Sequence, residues 1–528
     1  MIEVSRSASP LDLDALDMAA VRAGVLRDRA VTVLGLARSG MALTRFLADA
    51  GARVTVYDGR PADDLADAVR ALGERPVTLR LGPDVDPAAA WADADLVATS
   101  PSISPDYPTT EPRLRAALQA LRSARSSEPS APALVSEADL FLRLCPAPTI
   151  GVTGTKGKTT TASLAAAILA GDPSHPAVLG GNIGIPLVER LPELTGHHRV
   201  VIELSELQLP TLSRGTTVAV YTNVSSDHLD RHGSLEAYRR VKRRLAELVD
   251  PDGALVLNAE DPVVTGYAGL GATPSVLYRR ERPMAGGLGV ADGWIVAAGV
   301  ERLPIAGGGV AATGPGGRIM PTAELAIPGA HNVSNALAAV AVGLLFGVAP
   351  DAIREAAASF TGVEHRLELV ALIDGVRFVN DSQGTQPDAV IAALRAFDGP
   401  IVLIAGGRDK GIDLSSLAPV VAERAVAAVL IGESGPSLGV TFRSAGLGRT
   451  ERAADLDDAV RRADAIAREA LAPSGGERPG SVPGPATVLL SPAAASFDMF
   501  TDYAARGRAF KAAVAALAAA HRSRGGEG

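Results

Sequence analysis

Short apolar runs that end in glycine- or serine-rich loops recur along this chain, and helical patterns follow them. Near the amino end, one run begins at Ala30, a second ends in Asp58, and a third over Leu96–Thr99 leads into a Ser/Pro loop. Alternation of strand and helix is typical of βαβ units, whose strands form a parallel sheet. The sequence therefore predicts an α/β fold.

Two further sets of runs follow the same plan. The second set covers 149–152, 198–205, 218–224 and 253–259, with a glycine-rich antiparallel excursion expected over 284–320 and a helix over 331–347. The third set covers 376–381, 400–406, 425–432 and 486–492. A chain of 528 residues is too long for one core. We therefore expect three domains, 1–146 with an amino-terminal extension, 147–363 and 364–528.

Two segments rich in proline, glycine and serine interrupt the pattern. The segment 124–133 is interpreted as a surface loop, and 473–485 as a mobile loop before the last strand. Neither segment offers a row of apolar residues to bury, so both are expected to connect elements and not to form them.

Composition excludes several classes of protein. Apolar residues make up 47% of the chain and charged residues 21%, as in globular proteins. The net charge of −8 gives no basic field for nucleic acid or an anionic membrane. Cys145 is the only cysteine, which fits a reducing compartment. With neither a signal-peptide pattern nor a long apolar run, the sequence predicts a cytoplasmic protein with small-molecule partners.

The stretch Gly-Thr-Lys-Gly-Lys-Thr at 154–159 lies between a predicted strand and a predicted helix. Its upstream spacing departs from the full G-x-x-x-x-G-K-[ST] pattern, but its end retains the residues that hold a triphosphate. Backbone N–H groups at such a helix start attract phosphate, Lys158 can reach the terminal phosphates, and Thr159 can ligate Mg²⁺. The alternative is a tight turn with solvated lysines.

Three polar residues follow or flank the neighbouring strands. Glu203 ends a strand expected beside the phosphate-loop strand, where it can hold Mg²⁺ directly or through water, or form a salt bridge instead. His228 follows another strand, although a lone histidine is more often structural. Lys242 lies on a predicted helix among five basic residues at 239–244, a pattern that by itself favours a solvated face.

The first domain carries a second candidate nucleotide loop. GLARSG at 35–40 has Ala37 where a dinucleotide fingerprint has glycine, but its N–H groups can still take a diphosphate, and Asp58 can accept hydrogen bonds from a ribose or base. A plain NAD site is the alternative. Farther along, Asn332 and Asn335 share one helix face and can read an adenine edge or cap the helix.

These motifs and others in the same order resemble the Mur ligase family of ATP-dependent amide-forming enzymes. The matching segments are GGNIGIPL (180–187), ELSELQL (203–209), TNVSSDHLDRHGS (222–234), YRRVK (238–242), HNVSNALAA (331–339), EHRLE (364–368), NDSQGTQPDA (380–389), AGGRDKG (405–411) and LLSPAAASFDMFTDYAARG (489–507). The resemblance implies a Rossmann-like UDP-binding domain, a central P-loop ATPase domain and a Rossmann-like carboxy-terminal domain for the amino acid. Folylpolyglutamate synthases share the phosphate-loop motif and remain an alternative.

The resemblance also implies a reaction. It is ATP-dependent ligation of glutamate to UDP-N-acetylmuramoyl-L-alanine through an acyl phosphate, with two Mg²⁺ ions, in cytoplasmic peptidoglycan precursor synthesis by a monomer. D-glutamate is the expected substrate, and L-glutamate or another amino acid is the alternative. Gln383 stands where the family has lysine and Tyr503 where phenylalanine is common, so the amino-acid pocket departs from the family pattern.

Site residues carry over by position. The resemblance implies catalytic roles for Lys158, Glu203, His228 and Lys242, and metal ligation by Thr159, Glu203, His228 and a carbamylated Lys242. It implies ATP binding by Gly154, Thr155, Lys156, Gly157, Lys158, Thr159, Thr160, Asn332, Asn335, Arg366 and Asp381. It implies UDP-substrate binding by Arg38, Ser39, Asp58, Gly59, Ser100, Asn182, Ser205 and His228, and glutamate binding by Thr385, Lys410, Ser496 and Tyr503.

Overall fold

The structure is a computed structural model that describes residues 11–525, apart from 129, 184–185, 226–231, 271–272, 301–302, 311–312, 328, 409–413 and 472–484, and apart from the side chains of 388 and 523–525. The chain divides into two compact units, Met1–Phe360 and Thr361–Gly528. The first unit contains a five-stranded and a nine-stranded sheet, and the second contains a six-stranded sheet. The α/β fold with three sheets is as predicted.

The five-stranded sheet is parallel throughout, in the order β3-β2-β1-β4-β5. Its order reverses between β1 and β4, so their carboxyl ends open a crevice of the kind that holds ligands in such sheets. Its strands are β1 (Ala30–Leu34), β2 (Arg53–Asp58), β3 (Val77–Leu81), β4 (Leu96–Thr99) and β5 (Ala133–Ser136), and its helices are α1 (Met18–Arg22), α2 (Arg38–Asp49), α3 (Ala66–Ala71), α4 (Pro112–Ser127) and α5 (Glu137–Leu144).

The nine-stranded sheet has the order β14-β13-β12-β11-β10-β9-β6-β8-β7 and ends in the predicted antiparallel excursion. Its strands are β6 (Thr149–Thr153), β7 (Ala177–Gly181), β8 (Arg199–Glu203), β9 (Val218–Tyr221), β10 (Ala254–Asn258), β11 (Ser275–Tyr278), β12 (Leu288–Ala291), β13 (Trp294–Ala297) and β14 (Arg318–Pro321). Its helices are α6 (Lys158–Leu169), α7 (Leu235–Leu248), α8 (Pro262–Thr265), α9 (Ala330–Leu345) and α10 (Pro350–Ser359), with a 3₁₀ segment at Leu187–Glu193.

The two sheets of the first unit share one hydrophobic core. A continuous cluster of buried side chains runs from Leu26 and Leu47 around the first sheet to Leu187, Leu204 and Tyr221 around the second. Hydrogen bonds reinforce this junction, among them Tyr107 Oη to the Leu207 carbonyl at 2.5 Å. The core on the other face of the second sheet centres on α6 and α9.

The second unit has the strand order β15-β16-β20-β17-β18-β19, with β15 antiparallel and the other pairs parallel. A separate core lies on each face of this sheet. Its strands are β15 (Glu368–Ile373), β16 (Val376–Asn380), β17 (Ile401–Gly406), β18 (Ala427–Ile431), β19 (Thr450–Arg452) and β20 (Ala486–Leu490). Its helices are α11 (Pro387–Arg395), α12 (Leu417–Arg424), α13 (Gly435–Ser444), α14 (Leu456–Leu471) and α15 (Tyr503–Gly525).

The interpretation of 124–133 as a loop is wrong for its first residues. Helix α4 continues to Ser127 because Leu114, Leu118 and Leu121 bury one face of it. The serines on the solvent face bond back to the helix, as Ser126 Oγ does to the Arg122 carbonyl at 3.0 Å. The segment 473–485 lies outside the described residues except for Pro485.

Candidate active site

The segment 154–157 forms a phosphate-type loop between β6 and α6. Thr155 N donates to the Asn223 carbonyl at 2.7 Å and Lys156 N to Asn223 Oδ1 at 3.0 Å, so a neighbouring strand end fixes the first half of the loop. At the start of α6 no side chain of the described residues caps the helix. The first amides of this helix are therefore positioned to bind an anion.

Glycine is required at both ends of this loop. Gly154 has φ +147° and Gly157 has φ +85°, conformations that side chains rarely adopt. A Cβ on Gly157 would lie 2.5 Å from Asn335 Oδ1, and one on Gly154 would clash with the Thr222 hydroxyl. The close approach of α9 through Asn335 thus depends on the absence of a side chain at Gly157.

Two lysines converge on the loop. Lys158 Nζ donates to the Thr155 carbonyl at 2.9 Å, so its ammonium lies over the loop that it is predicted to serve. Lys242 Nζ donates to the Gly154 carbonyl at 3.0 Å and to Thr153 Oγ1 at 3.3 Å. Lys242 is fully buried, so the solvated face that the basic run favours does not apply to this residue.

Glu203 is the carboxylate best placed for a metal. It ends β8, which pairs with β6 so that Glu203 lies beside Val152. Its side chain is 2% exposed, and Oε1 accepts a hydrogen bond from Asn182 Nδ2 at 2.9 Å. Oε2 is buried and accepts none from the described residues. A buried anionic oxygen without a donor fits a Mg²⁺ ligand.

The described residues supply few ready metal ligands beyond Glu203. Among the described ranges, no group of three His, Cys, Asp or Glu side chains has an arrangement that could hold a metal ion. Thr159, at 3% exposed, is the second residue of α6, beside the phosphate loop. Mg²⁺ held here would take much of its shell from water and phosphate oxygens, as this ion commonly does.

The two asparagines Asn332 and Asn335 lie beside the phosphate loop. Asn335 Nδ2 donates to Asn332 Oδ1 at 3.1 Å, and Thr161 Oγ1 donates to Asn335 Oδ1 at 3.2 Å. Asn335 is 6% exposed and lies within α9, so it does not cap the helix. Its contacts place it against the phosphate loop.

A cavity lies at the crevice between the carboxyl ends of β1 and β4. It has a volume of about 600 Å³, and three of the residues predicted to bind the uridine nucleotide line it, namely Asp58, Gly59 and Ser100. Arg60 also lines it and binds both oxygens of Asp58, at 3.0 and 2.7 Å. Burial opposes ionisation of Asp58, but bonds from Arg60 and Leu36 N outweigh it and hold its pKa below the usual value.

The other residues predicted for the uridine substrate lie elsewhere in the first unit. Arg38 and Ser39 begin α2, next to the loop that lines the cavity. Asn182 directly follows β7 and donates to Glu203 at the end of β8. Ser205 Oγ donates to Gln208 Oε1 at 3.0 Å. The predicted set therefore spans the crevice and the edge of the nine-stranded sheet.

Glu137 was missed by the sequence analysis. It begins α5, is 5% exposed, and lines a small cavity with Gly181 and Gln208. Burial raises the pKa of its carboxyl to about 7, although the Val188 amide and the Arg38 charge oppose the shift. The N-cap Ser136 before it was the available sequence signal for a helix start, but not for burial.

In the second unit, three loops meet at the carboxyl edge of the sheet. The loops are 381–386 after β16, 407–408 after β17 and 491–496 after β20, and these three strands are neighbours in the sheet. Ala493 N donates to the Gly384 carbonyl and Arg408 N to the Ala495 carbonyl, both at 2.9 Å. The structure thus brings together the loops that carry Thr385 and Ser496, two of the residues expected to bind glutamate.

Arg506 ties these loops together and was also missed. Its guanidinium is buried and donates to Ser382 Oγ and the Ser382 carbonyl at 3.0 Å, and to the Ala494 carbonyl at 3.1 Å. Burial lowers its pKa to about 10, with Asp498 opposing the shift. Since all these contacts span long sequence separations, no local pattern could have identified them.

Asp381 and His365 lie close to this edge. Asp381 Oδ2 accepts from Ser491 Oγ at 2.6 Å and Oδ1 from Leu367 N at 3.2 Å, while burial raises its pKa to about 6. His365 is buried with φ +64°, receives a bond from Asn380 Nδ2 at 3.0 Å, and has a pKa lowered by burial. Arg366 is exposed beside them, and its charge favours ionised Asp381.

Two predicted residues, His228 and Lys410, lie outside the described residues. Tyr503 begins α15, with its ring centroid 6.3 Å from that of His365. In the part of the chain that the structure covers, none of the helices is long and apolar enough to cross a membrane.

Comparison with known proteins gives the family. Residues 152–343 match the Mur ligase middle domain, and residues 365–472 match the Mur ligase glutamate ligase domain. A relative from Symbiobacterium thermophilum, named UDP-N-acetylmuramoylalanine–D-glutamate ligase, is 39% identical over 94% of this chain and 100% of its own. A relative of the same name from Roseiflexus sp. is 38% identical over 91% of this chain and 97% of its own. The chain therefore belongs to the Mur ligase family.

Proposed function

We propose that the protein ligates D-glutamate to UDP-N-acetylmuramoyl-L-alanine at the expense of ATP, in cytoplasmic peptidoglycan precursor synthesis. The relatives named for this reaction match almost the full chain, which supports the proposal. The observation that carries it is the phosphate loop with Glu203 beside it, in the same unit as a cavity lined by Asp58 and Ser100.

In the first step, the alanyl carboxylate of the uridine substrate attacks the γ-phosphate of ATP, and ADP leaves as an acyl phosphate forms. Amides at the start of α6 hold the phosphates, and Lys158 swings from the Thr155 carbonyl to the transferred group. Charge on that group is then neutralised where it develops. Asn332 and Asn335 shape the adjoining wall of the nucleotide site.

Bound Mg²⁺ would neutralise phosphate charge and orient the attacked phosphorus. Glu203 and Thr159 are the described residues that would hold it, together with His228 and carbamylated Lys242 as the family resemblance implies. The position of Lys242 at Gly154 supports this assignment, because carbamylation would replace an ammonium by an anion at the phosphate loop.

In the second step, the glutamate amine attacks the acyl phosphate, and the tetrahedral intermediate expels inorganic phosphate. The loops after β16 and β20 are proposed to bind glutamate through Thr385, Ser496, Tyr503 and Lys410. Gln383 cannot supply the charge of the lysine usual in the family, so Lys410 and backbone amides carry the carboxylate binding. We further propose that the enzyme acts as a monomer, in three domains bounded at 146/147 and 363/364.

The test is ADP release by the full chain with ATP, Mg²⁺ and UDP-N-acetylmuramoyl-L-alanine, against D-Glu, L-Glu, D-Asp, meso-diaminopimelate and L-Lys. We expect turnover with D-Glu, dependent on the uridine substrate. Preference for another amino acid would overturn the specificity, and ADP release without the uridine substrate would overturn the ligase assignment.

A variant pair tests the phosphate loop within this assay. Lys158→Ala should reduce kcat by about 10²- to 10³-fold, because a charge aimed at the transferred phosphoryl group is lost. Lys156→Ala is the matched control from the same loop: its side chain is exposed, and its contacts with Asn223 are made by its backbone N–H and carbonyl. The reduction in kcat caused by Lys156→Ala should be at least about tenfold smaller than that caused by Lys158→Ala. Equal reductions would contradict the assigned role of Lys158.

A further inference from the structure

Another large cavity, here called the arginine cavity, shares no lining residue with the candidate active site. It has a volume of about 600 Å³ and lies in the first unit between α1, α2, Arg75 after α3, and the 3₁₀ segment Leu187–Glu193. This volume lies within the range of small-molecule sites. All residues that line it are described.

The wall of the arginine cavity includes a rigid apolar patch. Met18 and Val21 come from α1 and Phe46 from α2, and each is less than a tenth exposed. All three belong to the main core cluster of the first unit. The patch is therefore a fixed surface on which an apolar group can pack, and not a set of mobile side chains.

The charges around this patch are unbalanced. Four arginines line the cavity against two carboxylates, and both carboxylates are already engaged. Asp49 binds Arg75 through two bonds, at 2.8 and 2.9 Å. Glu189 accepts from Arg45 at 3.3 Å.

The other two arginines, Arg22 and Arg27, are exposed at the rim. No carboxylate of the described residues pairs with either of them. The Arg22 guanidinium donates a hydrogen bond to the Pro192 carbonyl at 3.5 Å. Two guanidinium groups thus face the cavity without a counter-charge, a donor set that suits phosphate or carboxylate.

We propose that the arginine cavity binds an anionic amphiphile, a small molecule with a phosphate or carboxylate head and an apolar body. Arg22 and Arg27 take the head, and the body packs against Met18, Val21 and Phe46. The bound molecule bridges the helices of the first sheet to the segment at Pro192, which belongs to the second sheet's part of the unit. Its binding therefore stabilises the junction of the two sheets.

The probe for this site is 8-anilinonaphthalene-1-sulfonate, an anion with an aromatic body, titrated by fluorescence into the full chain with UDP and ADP present. We expect one site that these nucleotides leave intact. In the variant Arg22→Ala/Arg27→Ala the affinity of the protein for the probe should fall by about tenfold or more, because two charged contacts with the sulfonate are lost. Arg22→Lys/Arg27→Lys should retain most of the affinity.

The matched control is Arg122→Ala/Arg282→Ala, which removes the same charge from exposed positions outside the cavity. Its affinity for the probe should stay within about twofold of wild type. Displacement by octyl phosphate but not by the same concentration of inorganic phosphate would support an amphiphile site. Circular dichroism should be unchanged in all variants.

Three results would overturn the proposal. They are the absence of a saturable site in the presence of nucleotides, equal loss of affinity in the control pair, and equal displacement by inorganic phosphate. Because the readout is binding of the probe and not turnover, the outcome is independent of the proposed ligase activity.

Discussion

At the scale of single residues, the phosphate loop and the carboxyl edge of the six-stranded sheet both contain buried charged groups. Lys242 bonds to the Gly154 carbonyl beside the phosphate loop, Arg506 ties two loops of the second unit, and Asp381 lies between Ser491 and Leu367. Burial of a charge costs free energy unless hydrogen bonds compensate it. Such groups are retained where their positions serve function.

Asp381 gives a stability prediction with a defined sign. Burial raises its folded-state pKa to about 6, above the ordinary aspartate value of 3.8. The folded state then binds the proton more tightly than the unfolded state. Ionisation of Asp381 therefore does not lower the free energy of unfolding below about pH 4, and its destabilising effect grows until about pH 6. Asp381→Asn should stabilise the second unit above pH 6 by at most about 3 kcal/mol, the equivalent of two pKa units.

The measurement is chemical denaturation of wild type and Asp381→Asn at pH 4.5, 6 and 8. Asparagine can still accept from Leu367 N and contact Ser491 Oγ, so the fold should persist. Asp398→Asn, at an exposed position of the same unit, is the control, and its difference from wild type should change little with pH. A pH-independent difference for Asp381→Asn would show that desolvation does not govern this carboxyl.

At the scale of elements, the loops after the strands determine the candidate site, and the phosphate loop gives the sharpest prediction. Gly157→Ala combines a φ of +85° with a Cβ only 2.5 Å from Asn335 Oδ1. We expect it to destabilise the first unit by about 1–3 kcal/mol and to abolish nucleotide binding measured by calorimetry.

Gly269→Ala separates strain from contact. Gly269 has nearly the same φ, +80°, but a Cβ there would meet nothing within 4 Å. Its substitution should cause the backbone part of the destabilisation alone and leave nucleotide binding intact. If both variants bound nucleotide equally well, the contact between Gly157 and α9 would not matter for the site.

Elements with continuous apolar runs were predictable from the sequence, and the expected strands near Leu96, Ile150, Val201 and Leu403 are all present. The edge strands β3 and β15 were not predicted. Strand β3 exposes three of its five residues, and β15 leaves Leu369 and Leu372 exposed. Strand β3 lacks an apolar signature because it faces solvent. Strand β15 was missed although five of its six residues, ELVALI, are apolar. The serine-rich end of α4 was missed because its composition suggests a loop while its leucines face the core.

The same distinction applies to the candidate site. Residues at the carboxyl ends of strands, such as Glu203 and Asp58, could be placed from the sequence because the carboxyl ends of parallel strands share an edge. The burial of Lys242 could not, since a run of basic residues gives no sign of which one points inward. Arg506 and Glu137 depend on contacts that only the folded chain creates.

At the scale of the whole molecule, the distribution of cores predicts which parts fold alone. The six-stranded sheet has its own core on each face, formed by residues of Thr361–Gly528. The five-stranded sheet instead shares its main core with the nine-stranded sheet, through residues such as Leu187 and Leu204. The boundary near 360 should therefore separate cooperative folding units, while the predicted boundary at 146/147 should not.

Two fragments test this difference. Residues 361–528 expressed alone should give a dispersed amide spectrum and a single sigmoidal urea transition, because both cores of this unit are formed by its own residues. Residues 1–146 alone would expose the apolar side chains that meet Leu187 and Leu204, so they should bind hydrophobic dye and unfold without cooperativity. Cooperative unfolding of 1–146 would instead favour three independent domains, and a molten 361–528 would mean that its cores need the rest of the chain.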